Sequence, residues 1–151
     1  MPQKAFLCVD DEQTVLRSLK EQLKRKFGNK YIYEMAESPV EALEVIEELY
    51  GGGIQILIII TDWMMPGMKG DEFLIKVNER FPEIISIMIT GQADDESIRY
   101  AQENANLYRC LCKPWDETEL IEAIESAWEN YGSYNRNIMK NNHKQSCDSY
   151  E

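Results

Sequence analysis

The stretch Ile54-Gln-Ile-Leu-Ile-Ile-Ile-Thr-Asp62 decides the fold, because a long apolar run ends abruptly in a carboxylate. Apolar residues fill nearly every position rather than alternate ones, which indicates a strand with both faces covered. Strands of this kind are typical of parallel sheets packed between helices. The stretch therefore predicts a central strand of an α/β protein that runs through Ile60. Asp62 then follows the carboxyl end of the strand, where such sheets bind ligands.

Three further apolar runs also end in polar or charged residues. The runs are Ala5–Val9, Ile84–Ile89 and Leu107–Cys112, and they lead into Asp10-Asp11, Thr90-Gly91 and Lys113-Pro114. The carboxyl ends of parallel strands meet at one edge of the sheet. We therefore expect Asp10, Asp11, Thr90 and Lys113 to lie close to Asp62.

Helical patterns alternate with the strand patterns about five times, as in repeated βα units. The first helix is predicted over Gln13–Phe27, and a second strand over Tyr31–Ala36. The next helix is predicted to begin with Ser38 as N-cap and Pro39 at its first position. Its apolar face is predicted from the spacing of Val40, Leu43, Ile46 and Leu49.

Three more helices complete the pattern. One is predicted over about Asp71–Arg80 after a loop rich in Pro and Gly. The next is predicted to be capped by Asp94-Asp95-Glu96, and the last to open with a capping box over Asp116–Glu119.

The length of 151 residues fits one domain, which is predicted over 1–130. We expect no second domain. Residues 131–151 turn polar and lack apolar periodicity, which predicts a polar tail or a truncated linker. With no output module after the domain, the chain is expected to be a stand-alone protein or a fragment of a longer one.

The net charge of -11 argues against direct nucleic-acid binding, because phosphate backbones attract basic surfaces. No apolar stretch approaches the roughly 20 residues of a membrane span. The N-terminus enters a strand within five residues, without the apolar region of a signal peptide. These features predict a cytoplasmic protein that does not contact membranes.

Three carboxylates at one edge of a sheet repel each other unless a cation lies among them. Asp10, Asp11 and Asp62 therefore predict a Mg²⁺ site, since Mg²⁺ prefers oxygen ligands and bridges carboxylates to phosphate. Lys113 adds a fixed positive charge, and Thr90 adds a hydroxyl donor. Together these groups can transfer a phosphoryl group onto a carboxylate and form an aspartyl phosphate.

The four strand ends resemble the receiver domain of bacterial response regulators, from about Lys4 to Trp128. The motifs are Asp10-Asp11, Asp62-Trp-Met-Met-Pro-Gly-Met-Lys-Gly-Asp-Glu-Phe73, Thr90-Gly91 and Lys113-Pro114-Trp115. The resemblance implies a flavodoxin-like (βα)5 fold, a doubly wound parallel five-stranded sheet with strand order 2-1-3-4-5. It implies a signalling switch that assists its own phosphotransfer and dephosphorylation, rather than an enzyme acting on other substrates.

The resemblance also implies roles for single residues. Asp62 accepts phosphate from a phosphohistidine of a sensor histidine kinase or a phosphotransfer protein. Asp11 binds Mg²⁺ directly with the assistance of Asp10, and Asp62 and the backbone carbonyl of Met64 are further ligands.

Lys113 is implied to contact the phosphate, and the Thr90 hydroxyl to move toward it. Pro114 is expected to follow a cis peptide bond. The switch would act on a downstream protein or a fused output domain, and the family allows a homodimer through the face of the fourth helix, fifth strand and fifth helix. Trp115, Tyr100 and Tyr108 either cover the core or border this partner surface.

One position departs from the family pattern. Receivers usually carry Tyr or Phe three residues before the lysine, as a side chain that turns inward on phosphorylation, and here that position is Cys110. Tyr108 lies two residues earlier and is expected by strand alternation to point to the same face. On that expectation Tyr108 could substitute for the missing aromatic residue.

Three other functions fit parts of the sequence. A phosphatase of the haloacid-dehalogenase type also forms an aspartyl phosphate, but it needs an aspartate two residues after the nucleophile, where this chain has Met64. A flavodoxin-like nucleotide or flavin binder fits the sheet, but its Gly- and Ser/Thr-rich phosphate loop is missing. A receiver-like scaffold that binds partners without phosphorylation is consistent with Cys110.

Overall fold

The apolar segment before Asp62 forms β3 (Gln55–Thr61), the middle strand of a five-stranded parallel sheet. The structure is a computed structural model and describes residues 3–91 and 95–130. The other strands are β1 (Lys4–Val9), β2 (Ile32–Ala36), β4 (Ile85–Thr90) and β5 (Leu107–Cys112). The sheet order β2-β1-β3-β4-β5 confirms the predicted (βα)5 fold and its strand order.

Five α-helices cover the two faces of this sheet. They are α1 (Gln13–Phe27), α2 (Pro39–Gly51), α3 (Gly70–Arg80), α4 (Asp95–Asn104) and α5 (Glu117–Glu129). The core on one face contains apolar side chains of α2, α3 and α4, and the core on the other face contains those of α1 and α5. From Ile58 to Ile60, successive residues of β3 alternate between the two cores, with Ile59 in the first and Ile58 and Ile60 in the second. Both faces of β3 are therefore buried, which explains its continuous apolar sequence.

The predicted start of α2 is confirmed, but its predicted apolar face is partly wrong. Ser38 Oγ accepts a hydrogen bond from the Glu41 amide at 3.1 Å, and Pro39 occupies the first turn. Val40, expected in the core, is 62% exposed. The buried residues are Pro39, Ala42, Ile46 and Leu49, and Leu43 packs against the same core while partly buried. Each residue turns about 100° around a helix, so Val40 lies outside this stripe.

The ends of the other helices differ from expectation in two places. The predicted capping box of α5 is wrong, because the Asp116 side chain makes no capping hydrogen bond. Instead the neighbouring Glu117 pairs with Arg25 of α1 at 3.0 Å. α3 begins at Gly70, one residue early, and the Glu72 carboxylate accepts from the Lys69 amide. The predicted cap at Asp94 and the tail 131–151 lie outside the described residues.

No helix within residues 3–91 and 95–130 combines the length and the apolar character that crossing a bilayer requires.

Gly70 brings α3 against the loop that follows β3. Its amide donates to the Trp63 carbonyl at 2.8 Å. A Cβ atom on Gly70 would lie 2.3 Å from the Asp62 carbonyl oxygen and 2.8 Å from Trp63 Cα. Both are backbone atoms that cannot rotate away, so this contact requires glycine.

Replacing Gly70 with alanine should therefore lower the free energy of unfolding by about 1–3 kcal/mol, the usual cost of overpacking. Gly51→Ala is the matched control, because a Cβ there would meet nothing within 4 Å and alanine favours the helical conformation. Urea denaturation followed by circular dichroism measures both variants. Equal stability losses in the two variants would contradict this packing argument.

Candidate functional site

Three carboxylates meet at the carboxyl edge of the sheet, as the sequence predicted. The β1–β3 register places Val9 beside Thr61, so the residues that follow these strands, Asp10 and Asp62, are neighbours. One carboxylate oxygen from each of Asp10, Asp11 and Asp62 lies within 4.8 Å of the other two. Asp10 and Asp62 are only 2% and 6% exposed, whereas Asp11 is exposed. The site thus has two buried carboxylates and one that faces solvent.

Lys113 joins the two buried carboxylates. Its Nζ lies 2.9 Å from Asp10 Oδ2 and 3.2 Å from Asp62 Oδ2, and a cis peptide bond follows it at Pro114 as expected. Glu12, which sequence reasoning missed, adds a third carboxylate 3.7 Å from the same Nζ. The sequence did contain a signal for this third carboxylate, since Glu12 directly follows the Asp10-Asp11 pair.

Burial and charge oppose each other at this ion pair. Desolvation raises the pKa of Asp10 above its ordinary value, although hydrogen bonds from the Glu12 amide and Lys113 act in the other direction. Desolvation alone would lower the pKa of Lys113, but its hydrogen bond to Asp10 and the charge of Asp62 outweigh it and raise this pKa. Lys113 therefore stays positively charged at neutral pH.

The other oxygen of Asp62 is held by backbone amides. Asp62 Oδ1 accepts from the Trp63 amide at 2.7 Å and, more weakly, from the Met64 amide at 3.4 Å. The Met64 side chain, 44% exposed, points away from the core. Asp62 thus has one oxygen fixed by amides and one directed toward an ammonium group.

Thr90 ends β4 at the same edge of the sheet. It is buried, and its carbonyl accepts a hydrogen bond from the Lys113 amide at 3.1 Å, so it ties β4 to the residue that contacts Asp62. The structure therefore brings every predicted site residue to one edge: Asp10, Asp11, Asp62, Met64, Thr90 and Lys113.

The predicted orientation of Tyr108 is wrong, because it does not share a face with Cys110. The β4–β5 register skips one residue, pairing Ser86 with Leu107 and Ile87 with Arg109, so Tyr108 is an extra residue that interrupts strand alternation. Tyr108 lies in the core beside α5, where its hydroxyl is 2.6 Å from Ser126 Oγ. Cys110 lies in the opposite core, on the side of α4.

The other two aromatic residues also differ from each other in their surroundings. Trp115 packs against the α1–α5 core and donates from its indole to Gln22 of α1 at 2.8 Å. Tyr100 is 55% exposed on α4. Of the three aromatic residues considered for a partner surface, Tyr100 alone is largely accessible.

A carboxylate placed at a strand end beside two further carboxylates and an ammonium can act as a nucleophile toward a phosphoryl group. The sequence matches the family described as the response regulator receiver domain over residues 6–125. The chain belongs to this family. It is therefore a receiver domain of the kind that serves as a signalling switch in two-component systems.

Two relatives differ in how much of their length this receiver domain covers. It is 35% identical over 127 residues to the chemotaxis protein CheY of Pseudomonas aeruginosa, covering 82% of this chain and 95% of CheY. It is 32% identical over 130 residues to the hydrogenase transcriptional regulatory protein HoxA of Cupriavidus necator, covering 86% of this chain and 25% of HoxA. The chain thus spans about a quarter of the HoxA proteins that it matches.

Among solved structures, the beryllofluoride-activated NtrC4 receiver domain dimer is similar to this receiver domain. The TM-score is 0.72 at 28% identity, and the match covers 84% of this chain and 98% of that one.

The Cys110 thiol should resist alkylation in the folded receiver domain. Burial, with a smaller contribution from the Asp62 charge, raises the pKa of Cys110 to about 12. Little of the reactive thiolate then exists at mildly alkaline pH. We expect iodoacetamide to leave Cys110 unmodified in the native protein and to modify it in urea, as read by peptide mass spectrometry. Cys8, whose pKa burial also raises, is the internal control. Rapid native labelling of Cys110 would contradict its burial.

Proposed function

We propose that Asp62 accepts a phosphoryl group from a sensor histidine kinase or a phosphotransfer protein, with Mg²⁺ bound. The observation that carries this proposal is the position of Asp62, beside Asp10 and Asp11 and in contact with Lys113. The same residues would assist hydrolysis of the product. Family membership supports the proposal at the level of a receiver domain.

The carboxylates fit a hard divalent cation. Asp10, Asp11 and Asp62 offer only oxygen donors, and their close approach is the arrangement that Mg²⁺ favours. Asp11 would bind Mg²⁺ directly, and Asp10 would assist this binding. Asp62 and the Met64 carbonyl would complete the set of protein ligands. When bound, the cation would neutralise charge that develops on the transferred phosphoryl oxygens.

In the proposed transfer, a carboxylate oxygen of Asp62 attacks the phosphorus of a phosphohistidine and forms a P–O bond. The P–N bond breaks, and its electron pair stays on the imidazole nitrogen, which takes up a proton. Backbone amides of Trp63 and Met64 fix the Asp62 carboxylate, so little reorientation is needed before attack.

Lys113 and Thr90 would respond to the product. A phosphoryl group of charge about -2 offers Lys113 new acceptor oxygens in place of the Asp62 oxygen it now contacts. The Thr90 hydroxyl would supply a second donor. Because the Thr90 carbonyl is bonded to the Lys113 amide, both residues would move as part of one connected strand end.

The switch would change contacts with a downstream protein or a fused output domain. CheY is matched along nearly its whole length and HoxA only over a quarter of it, so relatives support both arrangements. The NtrC4 receiver domain is a dimer, which supports a homodimer in general, and its formation through the face of α4, β5 and α5 stays a prediction. Residues 1–130 as the receiver domain, 131–151 as tail or linker, and the cytoplasmic location stay predictions from the sequence.

The second candidate function is a receiver-like scaffold whose contacts do not depend on phosphate. The position of Tyr108 favours it, since neither Tyr108 nor Cys110 places an aromatic ring on the side of α4. The proposal of phosphorylation is preferred because the carboxylates and Lys113 are all in place.

Phosphorylation by acetyl phosphate with Mg²⁺ tests the acceptor directly. The wild-type chain should gain one acid-labile phosphate by intact-mass spectrometry, and Asp62→Asn should gain none, because an amide is a poor nucleophile. Asp116→Asn, an exposed carboxylate outside the site, should behave as wild type. Phosphate uptake by Asp62→Asn would overturn the assignment, and no uptake by wild type would favour the scaffold.

The Mg²⁺ ligand set is tested by Asp11→Asn. Asp11 is exposed, so this variant should keep its fold while losing a charged ligand. We expect the Mg²⁺ dissociation constant, measured by Trp63 fluorescence or calorimetry, to rise about tenfold or more, which corresponds to at least about 1.4 kcal/mol. An unchanged dissociation constant would remove Asp11 from the site.

A further inference from the structure

The first turn of α3 contacts Trp63, the residue that follows the proposed phosphoacceptor. The Trp63 indole donates from Nε1 to Asp71 Oδ1 at 2.9 Å. Lys69 Nζ lies 5.1 Å from the centre of the Trp63 ring, within the range of a cation–π contact. The Trp63 carbonyl accepts from the Gly70 amide at 2.8 Å. Three consecutive residues of one segment thus hold three different parts of Trp63.

Trp63 in turn holds the Asp62 carboxylate. Its amide makes the shorter of the two backbone hydrogen bonds to Asp62 Oδ1, 2.7 Å against 3.4 Å from Met64. A rotation of the Trp63 peptide would therefore change the direction in which Asp62 presents its oxygens. Trp63 is 8% exposed and lies in the same core as Phe73 of α3, so its ring has little freedom to move independently of α3.

We propose that Asp71 is a positioning residue that acts through the Trp63 indole to orient the phosphoacceptor carboxylate. This inference rests on the proposed function of Asp62. Asp71 makes no hydrogen bond or ion pair with Asp62, Asp10 or Asp11, so its effect would appear in the transfer rate and not in metal affinity.

The competing explanation is that Asp71 merely stabilises the N-terminus of α3, as acidic residues do in the first turn of a helix. Glu72 is a matched control because it also lies in the first turn of α3 and its carboxylate contacts the Lys69 amide, not the indole. Glu72→Ala removes a first-turn charge while leaving the contact between Trp63 and Asp71. Asp71→Asn removes the charge but keeps an oxygen acceptor for the indole.

The experiment measures the phosphorylation rate of the full chain by acetyl phosphate at saturating Mg²⁺, together with Mg²⁺ affinity. Asp71→Ala should lower the rate about five- to tenfold, as expected when a reacting group is misplaced by a fraction of an ångström. Asp71→Asn should restore the rate to within about twofold of wild type, and Glu72→Ala should not change it beyond that range. The Mg²⁺ dissociation constant should stay the same in all three variants.

Trp63→Phe keeps most of the buried ring but removes the donor. It should slow transfer as much as Asp71→Ala, and the double variant should be no slower than either, because both changes break one interaction. Hydrogen exchange of the Trp63 indole, followed by nuclear magnetic resonance, reports the contact without any phosphorylation. Asp71→Ala should accelerate this exchange, and Glu72→Ala should not.

Two results overturn the inference while leaving the function of Asp62 intact: equal rates in Asp71→Ala and Glu72→Ala, or additive losses in the double variant. A wild-type chain that takes up no phosphate would overturn the proposed function and this inference together. Unfolding of Asp71→Ala is checked by circular dichroism, and Trp63→Phe then provides the same rate comparison.

Discussion

The ion pairs of Lys113 at the carboxyl edge of the sheet are the interaction on which the site depends. Asp10 and Asp62 are nearly buried and carry the same charge, and such charges repel strongly when they are shielded from water. One ammonium group contacts both, at 2.9 and 3.2 Å, and comes from a different strand end than either. A parallel sheet with β1 beside β3 and β4 beside β5 is what allows these chain segments to meet. Fold and site chemistry are therefore linked through one lysine.

A second connection runs from the site into α3. The start of α3 packs against the backbone of Asp62 and Trp63, and the absence of a side chain at Gly70 allows this close approach. Trp63 fills the space between loop and helix and contacts Lys69, Gly70 and Asp71 at once. The Asp62 carboxylate, our proposed phosphoacceptor, thus accepts from the backbone amide of a residue whose side chain is held by α3. Such support from rigid neighbouring elements is what keeps a reacting group in a productive geometry.

The output side of this receiver domain differs from the pattern of its family. A small thiol, Cys110, faces the α4 side where an aromatic ring is usual, and Tyr108 packs on the other face of the sheet. The Tyr108 hydroxyl contacts Ser126 and Asn130 near the end of α5, so that ring is fixed to α5 instead of being free to follow Thr90. On the α4 side of the sheet, Cys110 packs in the same core as Met88, its neighbour on β4.

The sequence by itself determined a parallel sheet with β3 in its interior and the residues at its edge, because a continuous apolar strand must be covered on both faces and strand ends of a parallel sheet converge. Asp10, Asp62 and Lys113 were predictable on that ground. The strand order followed from the resemblance to receiver domains. The tertiary structure alone decided the face of Tyr108, since one inserted residue in β5 reverses alternation without a sequence signal. It also decided the contact between Trp63 and Asp71 and the exposure of Val40. Both features depend on the rotation of α2 and α3 about their axes against the sheet. Tertiary packing sets this rotation, and local propensity does not.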